Sequence, residues 1–212
     1  MKRILILGIA AGLSVTGLQA HAAPKAKPKA PKPIPMTFFM HGTDTFGEAG
    51  SNLATGEYHL LDKNPSTGSS SKSHQVFNYV GGPNTNCAGN SLFPTFVGEL
   101  SGDVTGDMTV TFGALAGPAT QVNVQVFQDV EGIACNADFP KVASSLTVDV
   151  PMGRGTVTAV LKNLKLKSKK TFMVQFAPLP TSAGQARVFF DSTADNSSVA
   201  FSCLPRAPKK TC

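Results

Sequence analysis

The 212-residue chain carries 19 basic and 13 acidic residues, a formal net charge of +6. The excess sits at the ends: residues 36–205 hold 10 basic against 13 acidic side chains, so the body is mildly acidic. That distribution excludes a nucleic-acid-binding face, which needs a basic patch on the folded domain itself.

Residues 1–22 read as a secretory signal peptide. Lys2 and Arg3 form the charged start, Ile4 to Leu18 the apolar run, and Ala20-His21-Ala22 the small-x-small cleavage site, with the cut after Ala22. The run is shorter than the about 20 apolar residues a membrane-spanning helix needs. No later stretch is apolar enough to cross, so no transmembrane segment is expected. No cysteine stands near the cut to carry a lipid. The expected location is secreted or extracellular, with cell-envelope association open, and the signal has a bacterial style.

Residues 23–35, APKAKPKAPKPIP, form a Pro/Lys-rich linker. Proline removes backbone donors and fixes φ, so an extended spacer is expected rather than a helix or a paired strand. Its lysines could touch an anionic wall or membrane surface, or simply stay solvated.

Residues 36–205 read as one domain, and its pattern is strand after strand. Apolar residues recur at every second position in Met108/Val110/Phe112, Val122/Val124/Val126, Leu146/Val148/Val150 and Phe172/Val174/Phe176. That period marks half-buried strands. Thr and Val at 156–158 favour a strand in TVTAVLKNL; ARVFFDS and VAFSC close the series. Gly, Pro, Asn and Asp clusters separate the runs, and no helical period appears. The expectation is an all-β fold: an antiparallel β-sandwich, jelly-roll-like, with nine or ten strands. Residues 42–73 read as a long irregular connection crossed by one strand near Tyr58 to Leu61, with PSTGSSSKS an exposed, mobile loop. KNLKLKSKK reads as a strand end with solvated lysines. Residues 206–212 form a C-terminal tail.

FFMHGTDTFGE, the loop GGPNTNCAGN with its flanking strands, and RVFFDSTADNSSVAFSCLP together resemble a secreted actinobacterial β-sandwich module. The pattern is His-Gly-Thr, then Gly-Pro-Asn-x-x-Cys-Ala-Gly-Asn, then Asp-Ser…Phe-x-Cys-x-Pro, over roughly residues 37–205. The resemblance implies export and a sandwich, and no particular activity.

Candidate chemistry is sparse. His41, His59 and His74 remain after cleavage. Without a Gly-x-Ser-x-Gly elbow a hydrolase triad lacks its nucleophile signature, and histidines in strands are usually structural. Zinc needs closely spaced ligands, and no CxxC occurs. Catalytic, cofactor and metal sites are therefore not assigned. Calcium is the one ion left open, through oxygen donors at Asp103, Asp107, Asp129, Glu131, Asp191, Asp195 and Asn196. Asp is also the ordinary turn residue.

The four cysteines, Cys87, Cys135, Cys203 and Cys212, should oxidise in an exported protein. The pairing preferred from their loop positions is Cys87 with Cys135 and Cys203 with Cys212. A crossed Cys87–Cys203 pairing stands as the alternative. The functional expectation is a non-catalytic exported protein, a cell-surface or cell-envelope binding module whose partner is unidentified, with a cell-wall polymer or surface glycan as the candidate. A carbohydrate-binding module is the alternative, although 0 Trp and 2 Tyr leave few platforms for sugar stacking. A secreted hydrolase is the third reading.

Overall fold

The alternating runs become strands. The computed structural model describes residues 32–42, 59–76, 94–128, 142–167, 171–179 and 185–205. These contain eleven strands: β1 (Ile34–His41), β2 (His59–Asp62), β3 (Lys72–Val76), β4 (Thr95–Glu99), β5 (Asp103–Ala116), β6 (Thr120–Gln128), β7 (Val142–Val150), β8 (Gly153–Leu166), β9 (Thr171–Pro178), β10 (Ala186–Phe190) and β11 (Ser198–Leu204). The signal peptide, most of the linker, the tail and the loop GGPNTNCAGN lie outside the described residues. No helix among the described residues is long and apolar enough to cross a membrane.

Hydrogen bonding runs β3-β10-β5-β11-β1-β2-β4-β9-β6-β7, with β8 also on β5. β5 is 14 residues long and organises one layer. β8 pairs with it from Val104 to Leu115 along one edge. β11 and then β10 must share its other edge, β11 opposite the first half and β10 opposite residues 113–116. β2, β4, β9, β6 and β7 continue the path into a second layer, reached through β1, which pairs with β11 over Ile34 to Phe39 and with β2 over Phe39 to His41.

Phenylalanines between strands distant on this path show that the layers face each other. Phe112 of β5 meets Phe176 of β9 at 4.7 Å between ring centroids, and Phe190 of β10 meets Phe96 of β4 at 5.0 Å. Phe172 of β9 packs edge-on to Phe38 and Phe201 of β1 and β11. The fold is the expected all-β sandwich. Met108, Val110, Phe112, Val122, Val124, Val126, Phe172, Val174 and Phe176 are all buried in its core.

The differences from expectation are local. The described residues alone hold eleven strands, against the nine or ten expected for the domain; β2 is the strand expected near Tyr58 to Leu61, and β3 begins at Lys72, inside the stretch read as a mobile loop. One pair, β2 with β4, is parallel. The chain leaves β2, forms β3 in the other layer and returns before β4; parallel neighbours require such a crossover. Leu146, expected inside, is 37% exposed. Among the described residues β7 has β6 as its one hydrogen-bonded neighbour and lies at the end of the strand order. β9 buries both faces, Met173 and Gln175 included. Ile34 and Pro35, which composition assigns to the linker, are the first residues of β1. Proline is tolerated there because β2 pairs with β1 only from Phe39, leaving that side of Pro35 outside the ladder.

KNLKLK, the described part of the lysine-rich stretch, is a bulged strand end. Gly106 opposes Leu164 and Met108 opposes Leu161, so β8 spends two residues against one of β5. Asn163 takes φ 57° and Gly106 φ 116° to make the bend. Asp107 fixes it, accepting from Lys162 Nζ at 2.6 Å and from the Asn163 amide at 3.3 Å. These bonds hold its carboxyl below the ordinary carboxylate range.

Candidate functional site

The strand register gathers one polar cluster at the end of β1. Lys72 opens β3 opposite Phe190, the last residue of β10. Asp191 follows at once, and His41 closes β1. Asp191 has φ 66°, a left-handed conformation that Asp tolerates better than most side chains. It serves four donors. His41 Nδ1 lies 2.9 Å from Oδ1, Lys72 Nζ 3.2 Å and the Gly42 amide 3.3 Å from Oδ2, and Ser66 Oγ donates to Oδ1 at 3.4 Å. Burial raises the proton affinity of this carboxyl, but the hydrogen bonds from His41 and Lys72, the Lys72 charge and the Gly42 amide outweigh it and leave its pKa lowered.

The other ring nitrogen of His41 is also committed. Nε2 lies 2.8 Å from the Asn64 carbonyl and 3.2 Å from Asp62 Oδ1. Burial disfavours the imidazolium; the bonds to Asp191 and Asn64 and the charges of Asp62 and Asp191 outweigh it, so the pKa is raised.

PSTGSSSKS, expected to be an exposed, mobile loop, is docked. Thr193 donates its amide to the Gly68 carbonyl at 2.9 Å, and Ser71 Oγ lies 2.9 Å from Ser192 Oγ. Ser66 is buried. The docked turn leaves a cavity of about 360 Å³, lined by residues 65–70, His41, Lys72 and Asp191. Composition gave no sign of this, since serine and glycine usually mark solvent-facing loops; the hydroxyls instead find partners on the β10–β11 connection.

A second network braces the same connection. Asp195 is bonded by Arg154 and Ser71, and its amide donates to Ser192 Oγ at 2.9 Å. The Arg154 guanidinium lies 4.2 Å from the Phe189 ring centroid. Sequence reasoning did not single out Arg154, Ser66 or Lys72, because no short-range pattern connects them to their partners.

Ser66, His41 and Asp191 are a serine, a histidine and an aspartate in contact, yet they do not form a catalytic triad. In a triad the serine sits on the nitrogen opposite the aspartate. Here Ser66 Oγ is 3.4 Å from Nδ1, the nitrogen already facing Asp191, while a main-chain carbonyl covers Nε2. His59 is buried, its ring 4.8 Å from Phe96 and 4.7 Å from Phe190. His74 lies in β3.

Three of the candidate calcium donors, Asp107, Asp191 and Asp195, already face cationic side chains. Asp191 faces His41 and Lys72, Asp195 faces Arg154, and Asp107 faces Lys162, so a cation would have to displace a cationic side chain at each. Among the described residues no group of three or more His, Cys, Asp or Glu side chains could hold a metal. Asp129 and Glu131 lie outside the described residues.

Cys203 is buried in β11 between Ile34 and Val104, and its sulfur is disulfide-bonded. Cys87, Cys135 and Cys212 lie outside the described residues, and the pairing with them.

No family model matches the sequence, and no curated protein matches it. Solved structures resemble the chain to differing degrees. A CocE/NonD family hydrolase from Staphylococcus aureus is similar at 9% identity and a TM-score of 0.56, covering 82% of this chain and 37% of that one. An aminopeptidase from a marine sediment archaeon, Thaumarchaeota archaeon, follows at 8% identity and a TM-score of 0.49, covering 79% and 36%. The CBM36-1 domain of a multidomain xylanase from the hindgut metagenome of Trinervitermes trinervoides has 9% identity and a TM-score of 0.34, covering 62% and 95%. The chain therefore spans 37% of the length of the first of these, and that likeness shows a shared β architecture alone.

Proposed function

We propose that the protein is an exported, non-catalytic binding module. Its partner is a hydroxyl-rich segment of a cell-wall polymer or surface glycan, held in the cavity between the turn 65–70 and Asp191. One observation carries this reading: both ring nitrogens of His41 face fixed acceptors, Asp191 and the Asn64 carbonyl. A histidine so held, with both ring nitrogens engaged, supports a role in shaping the wall rather than in proton transfer.

The lining supports a polyol ligand. Ser66, Thr67, Ser69 and Ser70 contribute hydroxyls that both donate and accept. The volume falls within the roughly 300–1,000 Å³ of small-ligand pockets. Among the described residues the exposed large hydrophobic side chains are Leu60, Val142, Leu146 and Met152, none of them aromatic. Hydrogen bonding through the cavity hydroxyls is the mode of recognition this lining supports. Export rests on the signal-like residues 1–22.

The test combines retention with turnover. Purified protein is passed over cell wall, chitin and cellulose, and assayed against ester, peptide and glycoside panels. Retention on one matrix without turnover is expected. Turnover that disappears in His41→Ala, with the fold intact, would replace this reading with the hydrolase one.

A further inference from the structure

We infer that His41 is a proton-operated latch on the cavity: doubly protonated, it ties the start of the turn after β2 to β1 and Asp191, and loss of one proton frees that end of the wall. The inference rests on the binding reading for its consequence and on geometry alone for the latch itself.

An imidazolium has two N–H donors and a neutral imidazole has one. At His41 both nitrogens look at acceptors, Asp191 Oδ1 at 2.9 Å and the Asn64 carbonyl at 2.8 Å, with Asp62 Oδ1 at 3.2 Å beside the latter. Only the cation satisfies this arrangement. Removing a proton leaves a ring lone pair against an oxygen on one side or the other.

The Asn64 side gives way. The proton facing Asp191 sits against a full carboxylate, the stronger acceptor, and charge-assisted bonds are roughly twice as strong as neutral ones. Nδ1 therefore keeps its proton and Nε2 loses it. The Nε2 lone pair then opposes the Asn64 carbonyl and the Asp62 carboxylate. Asn64 keeps its local turn, its amide donating to Asp62 Oδ1 at 2.7 Å, but loses its tie to β1. The far end of the loop stays held through Gly68 and Ser71. Opening is thus confined to residues 62–66, and it takes buried Ser66 away from Asp191.

The charged groups facing the ring come from three elements: Asp62 of β2, Asp191 after β10, and Lys72 of β3, the last already paired with Asp191 at 3.2 Å. Two anions against one cation favour the protonated ring. Burial opposes this and is outweighed, so His41 titrates above the ordinary histidine value of 6.5. A histidine placed there changes charge within a few pH units of neutrality, where an exported protein meets varied surroundings.

The experiment uses the full mature chain without ligand. NMR follows the His41 ring nitrogens and the amide protection factors of residues 62–70 through a pH titration. Expected are two protonated nitrogens at low pH, a midpoint above 6.5, and protection in 62–66 falling severalfold at that midpoint while β5 amides stay constant. Asp62→Asn should lower the midpoint, and His41→Gln should abolish the step. A flat protection profile, or a His41 midpoint below 6.5, overturns the latch. A second arm repeats retention on cell wall across the same titration, with retention expected to fall as the turn opens. A turn that opens on schedule, with no retention on any matrix at any pH, upholds the latch and overturns the binding reading instead.

Discussion

The carboxylate of Asp195 lies over Cα of Gly113, in the space a side chain would occupy. A Cβ at that position would collide with Asp195 Oδ1 and come within 3.2 Å of Phe189 Cβ. The absence of a side chain on β5 thus lets the β10–β11 connection fold down onto the sheet, where Ser197 Oγ accepts the Gly113 amide at 3.1 Å and donates to the Phe189 carbonyl at 2.6 Å. The connection that carries Asp191 is positioned by this contact.

Gly113→Ala should destabilise the fold by about 1–3 kcal/mol, the usual range for forcing atoms into a packed site. It should also weaken the Arg154–Asp195 pair. Gly155→Ala is the control: it lies in neighbouring β8 with no atom within 4 Å of the added Cβ. Denaturant melts of the two variants check this, and equal losses would show that the Asp195 contact does not matter.

Phe96 tests the core between the layers. Its ring meets His59, Phe176 and Phe190 at 4.8, 6.0 and 5.0 Å and is fully buried. Phe96→Ala should cost about 3–5 kcal/mol. A loss below about 1 kcal/mol, well under that range, would mean that the layers do not pack through this ring.

The His41–Asp191 pair predicts a pH window for stability. The folded pKa of His41 is raised above 6.5, so its contribution is complete below that pH and fades as pH rises through the folded value. The folded pKa of Asp191 is lowered below 3.8, so its contribution is complete above that pH and fades as pH falls through the folded value. Both contribute fully between 3.8 and 6.5. Melting temperature measured against pH should show a plateau there. In Asp191→Asn the alkaline decline should be smaller and end at lower pH, because His41 loses its carboxylate partner and its folded pKa falls back toward 6.5. An unchanged profile in that variant would refute the coupling.

Much of the fold could be read in the sequence and little of the site could. The faces Met108/Val110/Phe112 and Val122/Val124/Val126 were readable because alternation and burial share a period of two residues. Leu146 follows the same alternation and is exposed, since periodicity cannot say which strand will lie at the end of the strand order. Nor does it report that β9 buries Met173 and Gln175 on its second face. The site depends on tertiary register. His41 and Asp191 are 150 positions apart, and Ser66 and Asp191 are 125 apart. The serine-rich turn looked mobile because composition shows hydroxyls without showing the partners that hold them. Asp191 was singled out for calcium from its oxygens alone; the cations that claim those oxygens come from other strands.

The cavity's role is tested most directly by amide chemical-shift mapping of the labelled protein against soluble fragments of cell-wall polymer and surface glycan. The account predicts saturable shifts centred on Gly42, residues 65–70 and residues 191–193, lost when Ser69→Trp fills the cavity from its exposed rim. Shifts confined to another surface, such as β7 around Val142 and Leu146, or none with any fragment, would contradict it.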